Sequence, residues 1–153
     1  MSETIFTLDH NGYLFQVTAW NLDACKNPKI LFDYNNVLNV YTRQELLKAA
    51  KLEPQPYAIV SLLMTTGENF QSLKKQAQET KECIVAVTAK IKGNRQAVET
   101  GLKYAVMKKL HWSAMAAFDD KPHEWFSPEG KYQYRQLKLD AQKKPVYVIN
   151  YLS

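Results

Sequence analysis

The 153-residue sequence lacks most of the patterns that name a function directly. It has no GxxxxGK[ST] or GxGxxG stretch, so neither a P-loop nor a Rossmann nucleotide site is supported. No apolar run approaches the roughly 20 residues of a membrane-spanning helix, and no membrane partner is expected. Glycine occurs 5 times and proline 6 times, which argues against flexible linkers and low-complexity segments.

Cysteine is scarce and carries no metal-binding pattern. Cys25 and Cys83 have no CxxC partner and no neighbouring histidine. A chain of this length builds a core without a disulfide, so two reduced, partly buried thiols are expected. The first residues, MSETIFTLDHNG, lack the basic and apolar regions of a secretory signal. Together these features predict a cytoplasmic protein.

The composition predicts one globular domain over residues 1–153. Hydrophobic residues make up 46% and charged residues 23% of the chain, which is ordinary for a folded domain and argues against disorder. A chain of this size buries roughly 68–70% of the surface that its unfolded state exposes. A sizeable core is therefore expected without help from a cofactor or metal.

Positive charge is concentrated in one segment. The formal net charge is +5, yet the stretch between Phe70 and His111 alone has nine lysines and arginines against three acidic residues. Such an asymmetry attracts anionic partners and raises their association rates. It favours a binding role for this segment without identifying the anion.

Both ends of the sequence predict β-hairpins. Strand-forming residues at about 4–8 and 13–20 flank Asn11-Gly12, a pair that suits the positive φ angles of a tight hairpin turn. Near the C-terminus, KYQYRQLK is followed by PVYVINYL, whose aromatic and β-branched residues predict a closing strand.

The region between residues 43 and 66 predicts a helix followed by a strand. Thr42 and Glu45 form a capping box before a helix of about 43–52, and Pro54 ends it. The apolar stretch PYAIVSLLMTT favours a strand by its flanking proline and glycine. The alternative is a helix–turn–helix over residues 43–62, whose second helix would begin through prolines.

The central segment admits two interpretations. From Phe70 to Ile91, apolar residues recur in steps of three and four, which favours one long helix. Locally, CIVAVTAKI also alternates as a strand. A further helix is predicted over residues 96–110, after Gly93-Asn94. The favoured fold is therefore α+β, with the terminal hairpins contributing to a sheet packed against a central antiparallel helical hairpin.

Two surfaces are candidates for binding an anion. The turn KIKGNRQ puts cations beside a helix N-terminus, where backbone N–H groups favour phosphate. A predicted strand face carries two tyrosines flanked by basic residues, a pattern that suits stacking on unpaired bases. The predicted nucleic-acid-binding or anion-binding residues are Lys74, Lys75, Lys90, Lys92, Arg95, Lys103, Lys108, Lys109, Tyr132, Tyr134, Arg135 and Lys138.

The stretch FDDKPHEW offers the remaining chemistry. Asp119, Asp120, His123 and Glu124 combine carboxylates with an imidazole, which could bind a metal or perform acid–base catalysis. Two nearby prolines and the absence of a ligand spacing favour an exposed loop instead. No catalytic residue, metal ligand or cofactor is therefore predicted.

These observations favour a non-enzymatic protein that binds nucleic acid, DNA or RNA, through its basic segment, residues 74–109. The alternative is a protein–protein adaptor or inhibitor, in which the apolar stripe of the helical hairpin contacts a protein partner or a second copy of the chain. A metal-dependent enzyme that uses residues 119–124 is the third hypothesis.

Overall fold

Eight strands form one mixed sheet in the computed structural model, which describes residues 1–63, 66–89 and 93–152. The strands are β1 (Glu3–His10), β2 (Tyr13–Trp20), β3 (Ile30–Phe32), β4 (Tyr57–Leu63), β5 (Ile84–Thr88), β6 (Ala116–Asp119), β7 (Tyr132–Gln136) and β8 (Tyr147–Tyr151). The α-helices within these ranges are α1 (Arg43–Ala50), α2 (Glu68–Thr80), α3 (Arg95–Glu99) and α4 (Leu102–Lys109).

The strand order across the sheet is β1-β2-β5-β4-β3-β6-β8-β7. The central strands β5, β4, β3 and β6 are parallel, and antiparallel strands extend the sheet at both sides. After β3 the chain moves outward through β4 to β5, then crosses back to place β6 on the other side of β3. The chain thus changes direction across the sheet beside β3, and such points form crevices at the carboxyl ends of parallel strands.

Both predicted terminal hairpins are present as antiparallel strand pairs. Strands β1 and β2 pair around Asn11 (φ 49°) and Gly12 (φ 83°), which supply the left-handed turn that the sequence predicted. Strands β7 and β8 pair at the opposite edge, and β8 also pairs with β6. The hairpins therefore flank a parallel core that the sequence did not predict.

The predictions for residues 43–66 are confirmed over the described part of that range. The side chain of Thr42 accepts a hydrogen bond from the backbone N–H of Glu45 (3.1 Å), and Glu45 Oε1 accepts one from Thr42 N–H (3.2 Å). This capping box begins α1. Residues Tyr57–Leu63 form the strand β4, so the helix–turn–helix alternative is wrong.

The predicted long helix over residues 70–91 is wrong, because the described part of this range, residues 70–89, contains a helix followed by a strand and no helical hairpin. Helix α2 ends at Thr80, and Ile84–Thr88 is a buried strand between β2 and β4. Lys81 adopts a left-handed conformation (φ 61°) at the C-cap, where the sequence has no glycine to announce a stop. The side-chain amide of Asn21 donates hydrogen bonds to Ala77 O (3.0 Å) and Glu82 O (2.8 Å), so a distant residue caps this helix end.

The predicted helix over residues 96–110 is divided into α3 and α4. Gly101 lies between them at φ 74°, and its N–H donates a hydrogen bond to His123 O (2.9 Å). A Cβ at this position would lie 3.1 Å from Phe126 O. The break therefore has both a conformational and a packing cause. It turns α4 so that Lys103 points into the interior.

Helices cover both faces of the sheet. Leu102 and Val106 of α4 pack on one face against alternate strand residues such as Leu31 and Val60. On the other face, α1 packs against Ile30 and Phe32. Phe70, Leu73 and Ala77 of α2 pack beside β4 and β5. Alternation of strand side chains between two buried faces explains the nearly continuous apolar runs of β3 and β5.

Cys25 and Cys83 are joined in a disulfide, with their Cα atoms 5.9 Å apart, where the sequence favoured two reduced thiols. The fold brings the start of β5 beside the turn that follows β2, and sequence spacing does not show this proximity. Across the part of the chain that the structure describes, none of the helices has the length and apolar character to cross a membrane.

Candidate functional site

Three carboxylates converge at the carboxyl ends of β3 and β6. Asp33 directly follows β3, and Asp119 and Asp120 stand at and after the last residue of β6. The strands pair in parallel, and Asp33 N–H donates to Phe118 O (2.9 Å), which aligns the two ends. One oxygen of each carboxylate lies within 4.8 Å of the others. This is the edge at which open α/β sheets bind ligands.

A buried ammonium group lies among these carboxylates. Lys103 is 1% exposed, and its Nζ lies 2.7 Å from Asp119 Oδ2, 3.0 Å from Asp33 Oδ1 and 3.0 Å from Glu124 Oε1. Burial opposes protonation of the amine, but the surrounding carboxylates outweigh burial and raise the Lys103 pKa well above its ordinary value. Lys103 therefore carries a fixed positive charge.

Carboxyl groups outnumber the single ammonium group inside the site. Burial raises the pKa of Asp33 well above its ordinary value, and the charge of Asp119 adds to this effect. Burial likewise raises the pKa of Asp119 to about 7 and that of Glu124 to about 7, although Lys103 opposes both shifts. One buried lysine balances one carboxylate, and burial favours the protonated form of the other carboxyl groups. A divalent cation would balance them in their ionised form.

Asp119 is held more tightly than its neighbours. Its Oδ2 accepts hydrogen bonds from Lys103 Nζ and from Trp125 Nε1, both at 2.7 Å, and its Oδ1 accepts one from Lys121 N–H at 2.9 Å. Asp120 Oδ2 accepts a hydrogen bond from the Asn36 side chain (3.2 Å). All three aspartates line the same cavity, and Asp119 is the one with both oxygens held by hydrogen bonds from the protein.

The carboxylates open onto a polar cavity of about 410 Å³. Glu68 and Asn69, in the first turn of the 13-residue helix α2, also line it. The N-terminal end of a helix favours anions. Arg95 and Lys144 also line this cavity. The site therefore combines candidate metal ligands with groups that attract phosphate.

A second polar cluster lies behind Lys103. Arg95 forms an ion pair with Glu99, with 2.9 Å between Arg95 Nε and Glu99 Oε1. The other carboxylate oxygen, Glu99 Oε2, lies 3.7 Å from His123 Nε2. Burial opposes ionisation of Glu99, but a hydrogen bond to Glu124 and the charge of Arg95 outweigh burial and lower its pKa. These contacts hold Glu124 in place beside Lys103. The same cluster explains why Arg95 stands at the start of α3, since its charge is balanced one turn later.

Residues 119–124 are not the exposed loop that the sequence predicted. Asp119 is 0% exposed and Glu124 is 2% exposed, and both contact Lys103. Sequence reasoning missed Asp33 altogether. The available signal was a shared pattern: ILFD and AAFDD each place aspartate directly after a short apolar strand.

The predicted basic face is dispersed in the structure. Lys103 is buried, so its assignment to an exposed anion-binding surface is wrong. Lys74 Nζ lies 3.9 Å from Glu3 Oε1, and Arg95 lines the carboxylate cavity. Lys90 and Lys92 lie outside the described residues. The exposed members of the set are spread over α2, the C-terminal end of α4, the edge strand β7 and the residues just after it, namely Lys75, Lys108, Lys109, Tyr134, Arg135 and Lys138, whereas Tyr132 is half-buried.

Comparison with known proteins adds no name to this site. No family model matches the chain, and neither a curated protein nor a solved structure shows significant similarity to it. Fold and site define the class only in structural terms: a mixed α/β protein with a carboxylate–lysine cluster at the carboxyl edge of its parallel strands. Function is therefore inferred from the geometry and chemistry of these residues.

Proposed function

We propose that this chain is a divalent-metal-dependent enzyme that transfers the phosphoryl group of a phosphomonoester to water. The observation that carries this proposal is the convergence of Asp33, Asp119 and Asp120 on one cavity around the charged Lys103. It corresponds to the third hypothesis from the sequence, extended from residues 119–124 to include Asp33.

The candidate ligands suit a hard cation such as Mg²⁺. All of them are carboxylates, and Mg²⁺ prefers oxygen donors. In phosphate-handling sites, this ion commonly takes one or two carboxylates, keeps several waters and contacts the substrate phosphate. All three aspartates line the cavity, but both oxygens of Asp119 already accept hydrogen bonds, so Asp33 and Asp120 fit this role better. The bound ion would supply charge neutralisation of the phosphate.

Asp33 is the proposed nucleophile. Aspartate carboxylates act as nucleophiles in phosphoryl transfer through an aspartyl-phosphate. Attack on phosphorus forms an acyl phosphate and breaks the bond to the leaving oxygen, which takes up a proton from solvent. Water then hydrolyses the acyl phosphate, which releases inorganic phosphate and returns the carboxylate. Lys103, 3.0 Å from Asp33 Oδ1, supplies positive charge where negative charge develops.

Hydrolysis of p-nitrophenyl phosphate tests this proposal. We expect turnover by the wild-type protein with Mg²⁺, none with a chelator, and a loss in kcat of at least about 1,000-fold in Asp33→Asn. Asp9→Asn, which alters an exposed carboxylate on β1, is the matched control and should keep full activity. Acid quenching should trap phosphate covalently on the wild type and not on Asp33→Asn. Full activity of Asp33→Asn, or turnover without metal, would contradict the proposal.

The other hypotheses from the sequence differ in their support. The hypothesis of an adaptor that uses the apolar stripe of residues 70–91 has little support, because Phe70, Leu73 and Ala77 are buried against the sheet. Nucleic acid remains a proposed partner, and it is considered below as a substrate. A cytoplasmic location also remains a prediction, which cell fractionation would test.

A further inference from the structure

A second cavity of about 440 Å³ adjoins the carboxylate cavity. The two share Arg95, Asp120 and Lys121 in their walls, so they form one continuous surface. Tyr147 lines the second cavity and not the first. A substrate whose phosphate lies beside Asp33 therefore meets two cations and then an aromatic ring as it extends away from the reacting group.

Tyr147 belongs to a partly exposed aromatic cluster on β7, β8 and the turn before them. Its ring centroid lies 6.1 Å from that of Tyr134, which is 49% exposed. The ring centroid of Phe126 lies 5.1 Å from that of Tyr134, and the Phe126 ring stacks on Tyr132 with 4.6 Å between centroids. The rings support one another in fixed positions while Tyr134 keeps half its surface in solvent. Such a surface can accept a planar ligand group without first reorganising.

The sheet register fixes the distance between this cluster and the reacting groups. Tyr147 is the antiparallel partner of Asp119 across β6 and β8. Opposed residues in an antiparallel pair project from the same face, with Cα atoms about 4.5–5.5 Å apart. The aromatic cluster therefore begins one strand away from the carboxylates. This separation suits a phosphate and a ring that belong to the same small molecule.

Charges at the shared wall complement an anionic ligand. The Arg95 side chain is 38% exposed, and its charge is partly balanced by Glu99. Lys121 is exposed, and Lys144, 61% exposed, stands beside Asp120 at the rim of the first cavity. Exposed cations attract phosphate groups, and aromatic rings stack on bases of any sequence.

We propose that the substrate of this site is a nucleotide, with its phosphomonoester among the carboxylates and its base on the ring cluster of Tyr147 and Tyr134. This inference rests on the proposed phosphoryl-transfer function and adds the substrate class. A free nucleoside monophosphate and the terminal phosphate of a single-stranded oligonucleotide present the same base and phosphate. Arg95 and Lys121 would contact a further phosphate in the longer ligand.

The test compares substrates with and without a base. We expect wild-type kcat/KM for a nucleoside monophosphate or a 5′-phosphorylated oligonucleotide to exceed that for glycerol 3-phosphate, which has no ring. Loss of a stacking ring costs affinity for a base. Tyr134→Ala and Tyr147→Ala should therefore lower kcat/KM for the nucleotide about 10-fold or more. Both should leave hydrolysis of glycerol 3-phosphate within about 2-fold of the wild type, because the carboxylates remain intact.

Matched variants separate stacking from folding. Tyr134→Phe keeps the ring and should behave as the wild type. Leu14→Ala, which alters an exposed apolar side chain on β2, is the second control and should also behave as the wild type. A steeper salt dependence for the oligonucleotide than for the mononucleotide would identify the longer substrate. Equal kcat/KM for nucleotide and glycerol 3-phosphate, or equal losses for both in Tyr147→Ala, would overturn the nucleotide assignment and leave the phosphatase proposal standing.

A binding measurement keeps the two proposals distinguishable if no substrate is hydrolysed. Calorimetry with Mg²⁺ would compare a nucleoside phosphonate, in which carbon replaces the bridging oxygen, with methylphosphonate. Tighter binding of the nucleoside compound, lost in Tyr134→Ala and retained in Tyr134→Phe, would support the nucleotide site without catalysis. Equal affinity for the two compounds would overturn it.

Discussion

At the scale of single residues, Lys103 holds the candidate site together. Its ammonium group pairs with three buried carboxylates at distances of 2.7–3.0 Å. Desolvation makes such pairs expensive to bury, and removal of one member leaves the others uncompensated. Lys103 thus orients Asp33 and Asp119, and its positive charge reduces the repulsion between them.

Lys103→Met should destabilise the protein strongly. Methionine fills a similar volume but leaves Asp33, Asp119 and Glu124 without their counter-ion, so we expect a loss of about 3–5 kcal/mol in the free energy of unfolding. Urea denaturation at neutral pH without metal measures this loss in the free energy of unfolding. Lys108→Met, at an exposed position on the same helix, should stay within about 0.5 kcal/mol. Equal stability of the two variants would show that the ion pairs contribute little.

Glu82 is a second residue on which several elements depend. Its carboxylate accepts hydrogen bonds from Tyr57 on β4 and from Gln76 and Thr80 on α2 (both 2.9 Å). Burial opposes its ionisation, but these hydrogen bonds outweigh burial and lower its pKa below the ordinary 4.5. The ionised carboxylate therefore stabilises the folded state at neutral pH.

Glu82→Gln should lose stability in a pH-dependent way. Because the folded-state pKa is lowered, the contribution is present above the unfolded-state value of 4.5 and disappears as the pH falls through the lower folded-state value. We expect the variant to be about 1 kcal/mol less stable at pH 7, after allowance for solvent screening, and to approach the wild type as the pH falls below the lowered folded-state pKa. Glu53→Gln, at an exposed position, is the control in parallel denaturation series. A deficit that persists unchanged at low pH would exclude ionisation as the cause.

At the scale of elements, the ends of helices and strands are set by partners far away in the sequence. Helix α2 stops at Thr80 because Asn21, after β2, satisfies the carbonyl oxygens of Ala77 and Glu82. This stop frees Ile84–Thr88 to enter the sheet as β5. The periodicity of the segment fits both a helix and a strand, so the pattern alone could not decide between them.

Asn21→Gly isolates the effect of this distant cap. Asn21 has φ 64°, which glycine adopts without strain, so the substitution removes the amide and keeps the backbone conformation. We expect a loss of about 1–3 kcal/mol, because Glu82 O loses its donor and Ala77 O keeps only the hydrogen bond from Lys81 N–H. Asn27→Gly, at an exposed position with φ 56°, is the matched control and should change stability by only a few tenths of a kcal/mol. Thermal unfolding measures both, and indistinguishable midpoints would contradict the capping role.

At the scale of the whole molecule, strand order creates the candidate site. Asp33 and Asp119 are separated by much of the chain, yet β3 and β6 are neighbours because the connection through α3 and α4 crosses back over the sheet. The same crossing presents Lys103 to both carboxylates. The antiparallel addition of β8 then sets Tyr147 beside the site. Site and proposed substrate surface thus follow from one topological feature.

Sequence alone determined the features that depend on a few consecutive residues. The Asn11-Gly12 turn and the Thr42–Glu45 capping box are local, because their hydrogen bonds or φ preferences involve residues up to three positions apart. Tertiary structure decided which strands lie in the parallel core and which charges meet. Lys103 bonds to Asp33 and Asp119, which are 70 and 16 positions away, and a count of basic residues cannot separate such a buried cation from a solvated one. Long-range contacts select among patterns that are locally equivalent, because burial of the whole sheet contributes more free energy than any single local preference.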